Sequence, residues 1–467
     1  MFVMIKDSGN TIFALSTAWG TSGIAVIKVS GVACKDVVKK FCKVETLLPR
    51  KVYYKSIYDC SGKLLDKGMV TFLKAPKSFT GEDMLEFSVH GGKATIKSLL
   101  INLGKTKGLR PAEPGEFTKR AFLNKKVNLI EAEGINNLTK SITEEQRKIS
   151  LIQTYGNINE TFKNWKNQLI EISALIDAQI EFSEEDESIL LQNINKKLIK
   201  LMNEIKKAIK VSEISTKIIN GVDIMVFGPP NAGKSTFFNI INKEEKSITT
   251  PIVGTTRDQI EASIDMVGHQ VNLIDTAGVR TTKEKIEKIG IDKTKKRFFD
   301  TERLILVLSP DSLDEDYVKV LSKILVGLKK KKLIILYNKS DLKEARDQKR
   351  DWEKFIPVLK KYSSITISCK KKKFHNYIYE KMTNLFIKDF FPTYTNSDEK
   401  YFFSEIRQLE HLKNSLRFLE SAYKVSSRIE ILSEDLRFAL KELESVSGNI
   451  DFEEKLDFVF KKFCIGK

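Results

Sequence analysis

Three things are scarce or missing in this chain of 467 residues, and each removes a class of protein. No apolar run reaches the roughly 20 residues that a membrane-spanning helix needs. The opening stretch, MFVMIKDSGNTIFAL, lacks the basic-then-apolar pattern of a secretory leader. Cysteines number five (Cys34, Cys42, Cys60, Cys369, Cys464), and none stands at the paired spacing of a zinc site or a disulfide framework. The expectation is a cytoplasmic protein with reduced thiols. Hydrophobic residues at 41% and charged residues at 30% suit a folded chain of two to four domains.

Positive charge is plentiful. The net charge of +18 makes contact with a polyanion such as RNA plausible, because bound phosphates release their counterions. The plainer reading is a lysine-rich surface. Runs such as Lys329–Lys332 and Lys370–Lys373 flank apolar segments and read as solvated strand ends.

Along the chain the hydrophobic period changes. Residues 1–124 hold the strand-like stretches TIFALST, GIAVIKVSG, GMVTFLKAP and DMLEFSVHGG, with a helical stretch in KATIKSLLINLG, which predicts a compact α+β domain. Residues 125–220 read as helical, with Leu169, Ile172, Ile176 and Ile180 on one face. Residues 389–467 repeat the pattern, with Leu409, Leu412, Leu416, Leu419 and Tyr423, then Leu432, Leu436 and Leu440; such stripes are core or helix-pairing seams. Between them, residues 221–388 alternate short β-branched runs (VDIMVFG, QVNLIDTAG, RLILVLS, KKLIILYN, SITIS) with helices, the pattern of a parallel sheet covered on both faces. The chain therefore reads as multidomain α/β plus α, with an α/β domain inserted into a discontinuous helical domain.

The inserted segment carries a nucleotide site. GPPNAGKS, Gly228 to Ser235, fits G-x-x-x-x-G-K-S/T between a strand and a helix. In that pattern the backbone N–H groups of Asn231, Ala232, Gly233, Lys234, Ser235 and Thr236 cradle phosphates at a helix N-terminus. Lys234 reaches the β- and γ-phosphates, and the Ser235 hydroxyl binds Mg²⁺. Thr255 and Thr256, in GTTRD, are placed to complete the Mg²⁺ shell, and Asp275 to touch it through water. In the DTAG stretch with Thr276 and Ala277, Gly278 can offer its N–H to the γ-phosphate. Asn338, Lys339 and Asp341 of NKSD end the next-but-one strand. A carboxylate there accepts from guanine's ring N–H and exocyclic amine, a pair adenine lacks, so Asp341 selects GTP. Ser368, in SCK, ends a later strand as a base-contacting loop should. A Ras-like P-loop GTPase domain is predicted.

One group is missing. The residue after Asp-Thr-Ala-Gly, often a glutamine that orients the attacking water, is Val279. A partner's arginine or a bound cation must then offset transition-state charge. Asn231 can ligate such a cation or simply form the turn. Glu284 and Glu287, downstream, are candidates for orienting water or members of a solvated helix face; spacing does not choose between them.

The chain resembles the MnmE (TrmE) family of tRNA-modification GTPases nearly end to end. The resemblance rests on SFTGEDMLEFSVHGG, RPAEPGEFTKRAFLNKK, IEFSEEDE, GPPNAGKS, GTTRDQI, DTAGVR, IEKIGI and the terminal CIGK. It implies G domains that dimerise around GTP with K⁺ standing in for the arginine. Asn231 would be the side-chain K⁺ ligand, with further oxygens from the loop Thr250, Pro251, Ile252, Val253, Gly254, Thr255, notably Thr250, Ile252 and Thr255. Ser235 and Thr256 would hold Mg²⁺, and Glu287 would be the catalytic glutamate. The N-terminal domain resembles a tetrahydrofolate-binding and dimerisation domain, with folate contacts falling on Lys28, Glu86, Lys126 and Lys467. Lys28 replaces a more usual arginine and loses its planar fork. The loops STAWGTSG and SCKKKK also depart from the family pattern. The implied reaction, with the flavoprotein MnmG (GidA), installs a carboxymethylaminomethyl-type group at C5 of the wobble uridine of certain tRNAs, the one-carbon unit coming from a tetrahydrofolate derivative. No covalent role is expected of Cys464, and a C-terminal Lys does not suit a prenylation box.

Rival readings make different demands. An Era-like ribosome-assembly GTPase would carry a KH domain with a GXXG loop, and none is visible after residue 390. A Der-like one would have two P-loops, and the sequence has one. A membrane-associated GTPase would want an anchor.

Overall fold

Alternation of apolar and polar residues builds the first sheet as expected, with additions at both edges. The computed structural model describes residues 11–181, 187–244, 262–275, 301–328, 332–342, 345–371, 375–391, 403–425, 428–448, 460, 463, 464 and 466. Contacts divide the chain into two units, Met1–Asn136 with Gln153–Asn203 and Glu410–Lys467, and Asn137–Ile152 with Glu204–Leu409.

In the first unit, β1 (Thr11–Leu15), β2 (Ser22–Ser30), β3 (Val52–Tyr58), β4 (Leu64–Leu73), β5 (Met84–Gly91) and β6 (Leu109–Pro111) lie in the order β3-β4-β5-β2-β1-β6. Only the β1–β6 pair is parallel. Ala25, Ile27 and Val29 of β2 and Phe87 and Val89 of β5 point to one face. There they pack on α1 (Cys34–Cys42) and α2 (Lys93–Gly104) through Val37, Phe41, Ile96, Leu99 and Leu103. Each of these side chains larger than alanine contributes about 1.5–3 kcal/mol by leaving water. Helix α2 coincides with the helical stretch read from the sequence. Strand β3 gave no clean signal because it is an edge strand, with Val52 and Tyr54 exposed.

The helices α3 (Glu116–Leu123), α4 (Leu129–Lys140), α5 (Glu144–Tyr155), α6 (Ile158–Glu181) and α7 (Glu187–Asn220) follow. Far along the chain come α12 (Ile406–Lys424) and α13 (Ile429–Ser447). Helix α13 packs on α6, fastened by Lys166 with Glu444 and by Ser433 with Asp177. Leu169, Ile172 and Ile176 are buried, but Ile180 is 47% exposed and so lies outside the seam. In α12, Leu412 and Leu419 are buried and Tyr423 is exposed. In α13 the buried line is Leu432, Leu436, Ala439, Leu443 and Val446, while Leu440 is half-buried. For Leu440 the physical reason is the helical period: steps of four advance about 40° each beyond a full turn, so the series Leu432, Leu436, Leu440 walks off the face.

The first unit also gathers its own distant ends. Phe460 and Phe463 pack with Leu129 and Phe122. The N–H of Gly115 donates to the carbonyl of Cys464 at 3.2 Å, and Ser16 Oγ donates to that of Gly466 at 2.8 Å. Gly466 has φ +88°, and a Cβ there would stand 2.3 Å from the carbonyl oxygen of Leu15.

In the second unit, β7 (Val222–Phe227), β8 (Ala262–Met266), β9 (His269–Asp275), β10 (Arg303–Leu308), β11 (Lys332–Tyr337) and β12 (Ser363–Thr366) take the order β12-β11-β10-β7-β9-β8. All neighbours are parallel except the β8–β9 hairpin. Side chains alternate between two cores. Ile224 and Val226 face α8 (Lys234–Glu244) and α11 (His375–Asp389). Met225 and Phe227 face α9 (Glu315–Gly327) and α10 (Gln348–Phe355). This is a sheet wound on both faces, with its loops at the carboxyl ends of the parallel strands, where such folds bind ligands. Among the described residues, no helix is long and apolar enough to cross a membrane.

Candidate functional site

The phosphate-binding loop connects β7 to α8 and owes its path to three unusual backbone positions. Gly228 has φ +149° and Gly233 φ +96°, and Asn231 sits at φ +60°, a left-handed position that asparagine tolerates better than most residues. A Cβ on Gly228 would stand 2.1 Å from the carbonyl oxygen of Val307, and one on Gly233 would stand 2.1 Å from Asn338 Nδ2. The two motif glycines therefore let the loop pass close to neighbouring strand ends. Lys234 Nζ donates to the carbonyls of Gly228 (3.0 Å) and Pro229 (2.8 Å), which folds it along the loop. Ser235 and Thr236 lie exposed in the first turn of α8, where its N–H groups and dipole favour an anion.

The NKSD and SCK loops, expected to contact the base, close on the same place. Asn338 is 2% exposed, and its side chain is used twice. Nδ2 donates to the carbonyl of Ala232 at 2.8 Å, and Oδ1 accepts from the N–H of Cys369 at 3.1 Å. One amide thus ties together the phosphate loop, the NKSD loop and the SCK loop. Lys339 has φ +60° and pairs with Asp311. Ser368 Oγ donates to Asp341 Oδ1 at 2.5 Å, and this bond holds the Asp341 carboxyl below the usual carboxylate range. Asp341 therefore stands ionised, as an acceptor, and the aspartate can take two N–H donors from a base. Burial, with Asp341 nearby, pushes the Cys369 thiol up to about 12, which leaves it a packed thiol.

Thr250, Pro251, Ile252, Val253, Gly254, Thr255 and Thr256 lie outside the described residues, as do Thr276, Ala277, Gly278, Val279, Glu284, Glu287 and Lys467. Asp275 ends β9, which places its backbone beside β7.

In the other unit, Lys28 and Glu86 face each other across β2 and β5, Nζ to Oε1 at 3.9 Å, on the sheet face opposite α1 and α2. Lys126 is exposed and donates to the carbonyl of Pro76 at 3.0 Å. A buried cluster nearby was not foreseen. Glu116 takes Arg110 at 2.6 Å and Arg120 at 3.0 Å, and Arg120 also reaches Glu82 at 3.0 Å. Burial alone would raise the Glu116 pKa, but the Arg110 bonds, the Glu113 N–H and Arg120 together hold it below its ordinary value. The i, i+4 spacing of Glu116 and Arg120 was a visible signal; the partners Arg110 and Glu82 were not.

Comparison with known proteins agrees with this arrangement. A family model described as the GTP-binding protein TrmE N-terminus matches residues 11–126, and one described as the MnmE helical domain matches residues 129–464. The tRNA modification GTPase MnmE of Ehrlichia chaffeensis is 38% identical over 464 residues, covering 98% of this chain and 100% of its own. That of Aquifex aeolicus is 35% identical over 463 residues, covering 98% and 99%. Among solved structures, the FeoB G-domain from Methanococcus jannaschii is 18% identical and covers 36% of this chain and 98% of its own, at a TM-score of 0.24, too slight a likeness to carry an argument. Matched along its whole length, and with its phosphate and base loops tied through Asn338, the chain belongs to the MnmE family of tRNA modification GTPases.

Proposed function

We propose that this protein is a K⁺-activated GTPase that acts with MnmG to install a carboxymethylaminomethyl-type group at C5 of the wobble uridine of certain tRNAs. The observation that carries the GTPase part is the Asn338 clasp, which brings the ionised Asp341 and the phosphate loop into one site. The loop N–H groups and the α8 N-terminus bind the phosphates, Lys234 swings from its carbonyl partners onto them, and Ser235 Oγ supports Mg²⁺. Asp341 reads the guanine edge and Ser368 orients Asp341. Glu287 orients the water.

Asn231 fits a cation ligand. It is exposed on the rim of the loop, and among the described residues its carboxamide has no hydrogen-bond partner. A bound K⁺ supplies positive charge against the charge that develops between the phosphates. Thr250, Ile252 and Thr255 would add oxygens, and Thr256 would complete the Mg²⁺ shell. Lys28 and Glu86, partly exposed on the sheet face opposite α1 and α2, with Lys126 and Lys467, would hold the tetrahydrofolate derivative. The reading further includes a cytoplasmic homodimer built on residues 1–124, a helical domain of 125–220 and 389–467, and a G domain of 221–388 whose opening and closing gates the modification.

GTP turnover in KCl against NaCl at matched ionic strength tests the mechanism. Strong stimulation by K⁺, lost in Asn231→Ala, is expected; equal turnover in both salts would remove the cation role. Nucleoside analysis of tRNA from cells lacking the protein tests the pathway. Unmodified wobble uridines are expected, and normal uridines with a ribosomal-subunit defect would overturn the assignment.

A further inference from the structure

The loops that end β10 and β11 are both held by a helix that no motif marks. Helix α10 places Gln348 and Trp352 one turn apart, at i and i+4, on one face. Both are buried, at 2% and 0% exposure. Gln348 Nε2 donates to the backbone carbonyl of Asn338 at 3.1 Å, and Trp352 Nε1 donates to that of Ser309 at 3.3 Å. Asn338 directly follows β11, and Ser309 directly follows β10. The two loops also meet through Lys339 and Asp311.

We propose that Gln348 and Trp352 are positioning residues for guanine discrimination, which set the NKSD loop so that Asp341 meets both donors of the base. The inference rests on the reading of Asp341 as the guanine acceptor. Asn338 has no freedom of its own. Its N–H donates to the carbonyl of Leu308 at 2.7 Å, its side chain is used twice, and its carbonyl is taken by Gln348. The next residue, Lys339, is left-handed, a conformation that is unfavourable for a non-glycine residue and persists where its surroundings enforce it. Asp341 comes two residues later, beyond the end of β11. Its backbone position is therefore inherited from Asn338 and from the bond between the Ser340 N–H and the Ile367 carbonyl, while Ser368 Oγ orients its carboxylate. A water could satisfy the Asn338 carbonyl, but a side chain on a packed helix also fixes where that carbonyl stands. Hydrogen bonds weaken steeply with misalignment, so a small shift of the loop costs one of the two contacts to the base.

The test compares GDP with IDP, whose hypoxanthine keeps the ring N–H and lacks the exocyclic amine. Affinities for both are measured with Mg²⁺ on the full chain, on Gln348→Met and on Trp352→Phe, with thermal melting of each. Gln348→Met keeps bulk and removes a donor; Trp352→Phe removes the donor together with one ring of a buried side chain, so a lower melting temperature is expected of it. The parent should prefer GDP, and Gln348→Met should lower the GDP-to-IDP preference by about fivefold, the worth of one hydrogen bond. Trp352→Phe should lower it less, because its carbonyl lies one strand further away. Variants that melt lower yet keep the parental ratio would overturn the proposal and leave these residues a packing role. Should Gln348→Met not fold, the ratio in Trp352→Phe decides in the same way. A parent chain that fails to separate GDP from IDP would remove the Asp341 reading, and this proposal with it.

Discussion

Asn338 Nδ2 and the carbonyl of Ala232 lie 2.8 Å apart although 106 positions separate the residues. This bond joins the loop proposed to read the base and the loop proposed to hold phosphate into one mechanical unit. Replacing Asn338 by Ala strands two buried groups, the Ala232 carbonyl and the Cys369 N–H, at a cost of about 1–3 kcal/mol each. Urea unfolding of Asn338→Ala should show that loss, with GDP affinity falling alongside. An unfolding midpoint equal to the parent's would mean that the clasp contributes nothing.

Gly233 is the neighbour of that bond. At φ +96° and with Asn338 Nδ2 in the place of its missing Cβ, it has no room for a side chain. Gly233→Ala should push the asparagine away and reduce nucleotide affinity tenfold or more, about 1.4 kcal/mol. Isothermal titration with GDP checks this, and parental affinity would show that the loop can move aside.

Glu116 ties Arg110 and Arg120 in the first unit, and its pKa lies below the ordinary 4.5. A depressed folded-state pKa stabilises above the unfolded-state value, and that stability is lost as pH falls through the folded one. Glu116→Gln should therefore cost about 1–3 kcal/mol at pH 7, since both guanidiniums lose a carboxylate while Arg120 keeps Glu82 and Arg110 is partly exposed. The gap between parent and variant should narrow in acid. A gap independent of pH from 7 to 3 would contradict the ion-pair account.

Glu287, outside the described residues, is the residue we propose to orient water. Glu287→Ala should lower GTP turnover by about 100-fold or more while leaving GTP affinity in place, as removal of a proton-handling group does. Unchanged turnover would return the choice to Glu284 or to a group from elsewhere.

Much of this was legible in the sequence because local pattern and local contact coincide. The five parallel strands of the second unit are short apolar runs, and Gly228, Lys234 and Asp341 belong to motifs whose spacing states their geometry. Strand β8 was missed because ASIDM is short and is held mainly by its hairpin partner β9. Gln348 carried no signal at all. Its role comes from where α10 packs, and a lone glutamine in QKRDWEKF reads as solvated. The Glu82–Arg120 pair was hidden by 38 positions of intervening chain.

The bond between Ser16 and Gly466 spans 450 positions. On the ribosome, at roughly 5–20 residues per second, the sheet that begins at Thr11 waits about 20–90 s before Phe460, Phe463 and Gly466 have been made. During that interval Leu129 and Phe122 lack the aromatic rings that cover them in the finished protein. The cover over Leu129 and Phe122 is thus completed only after the GTPase segment that separates them from Phe460 has been synthesised.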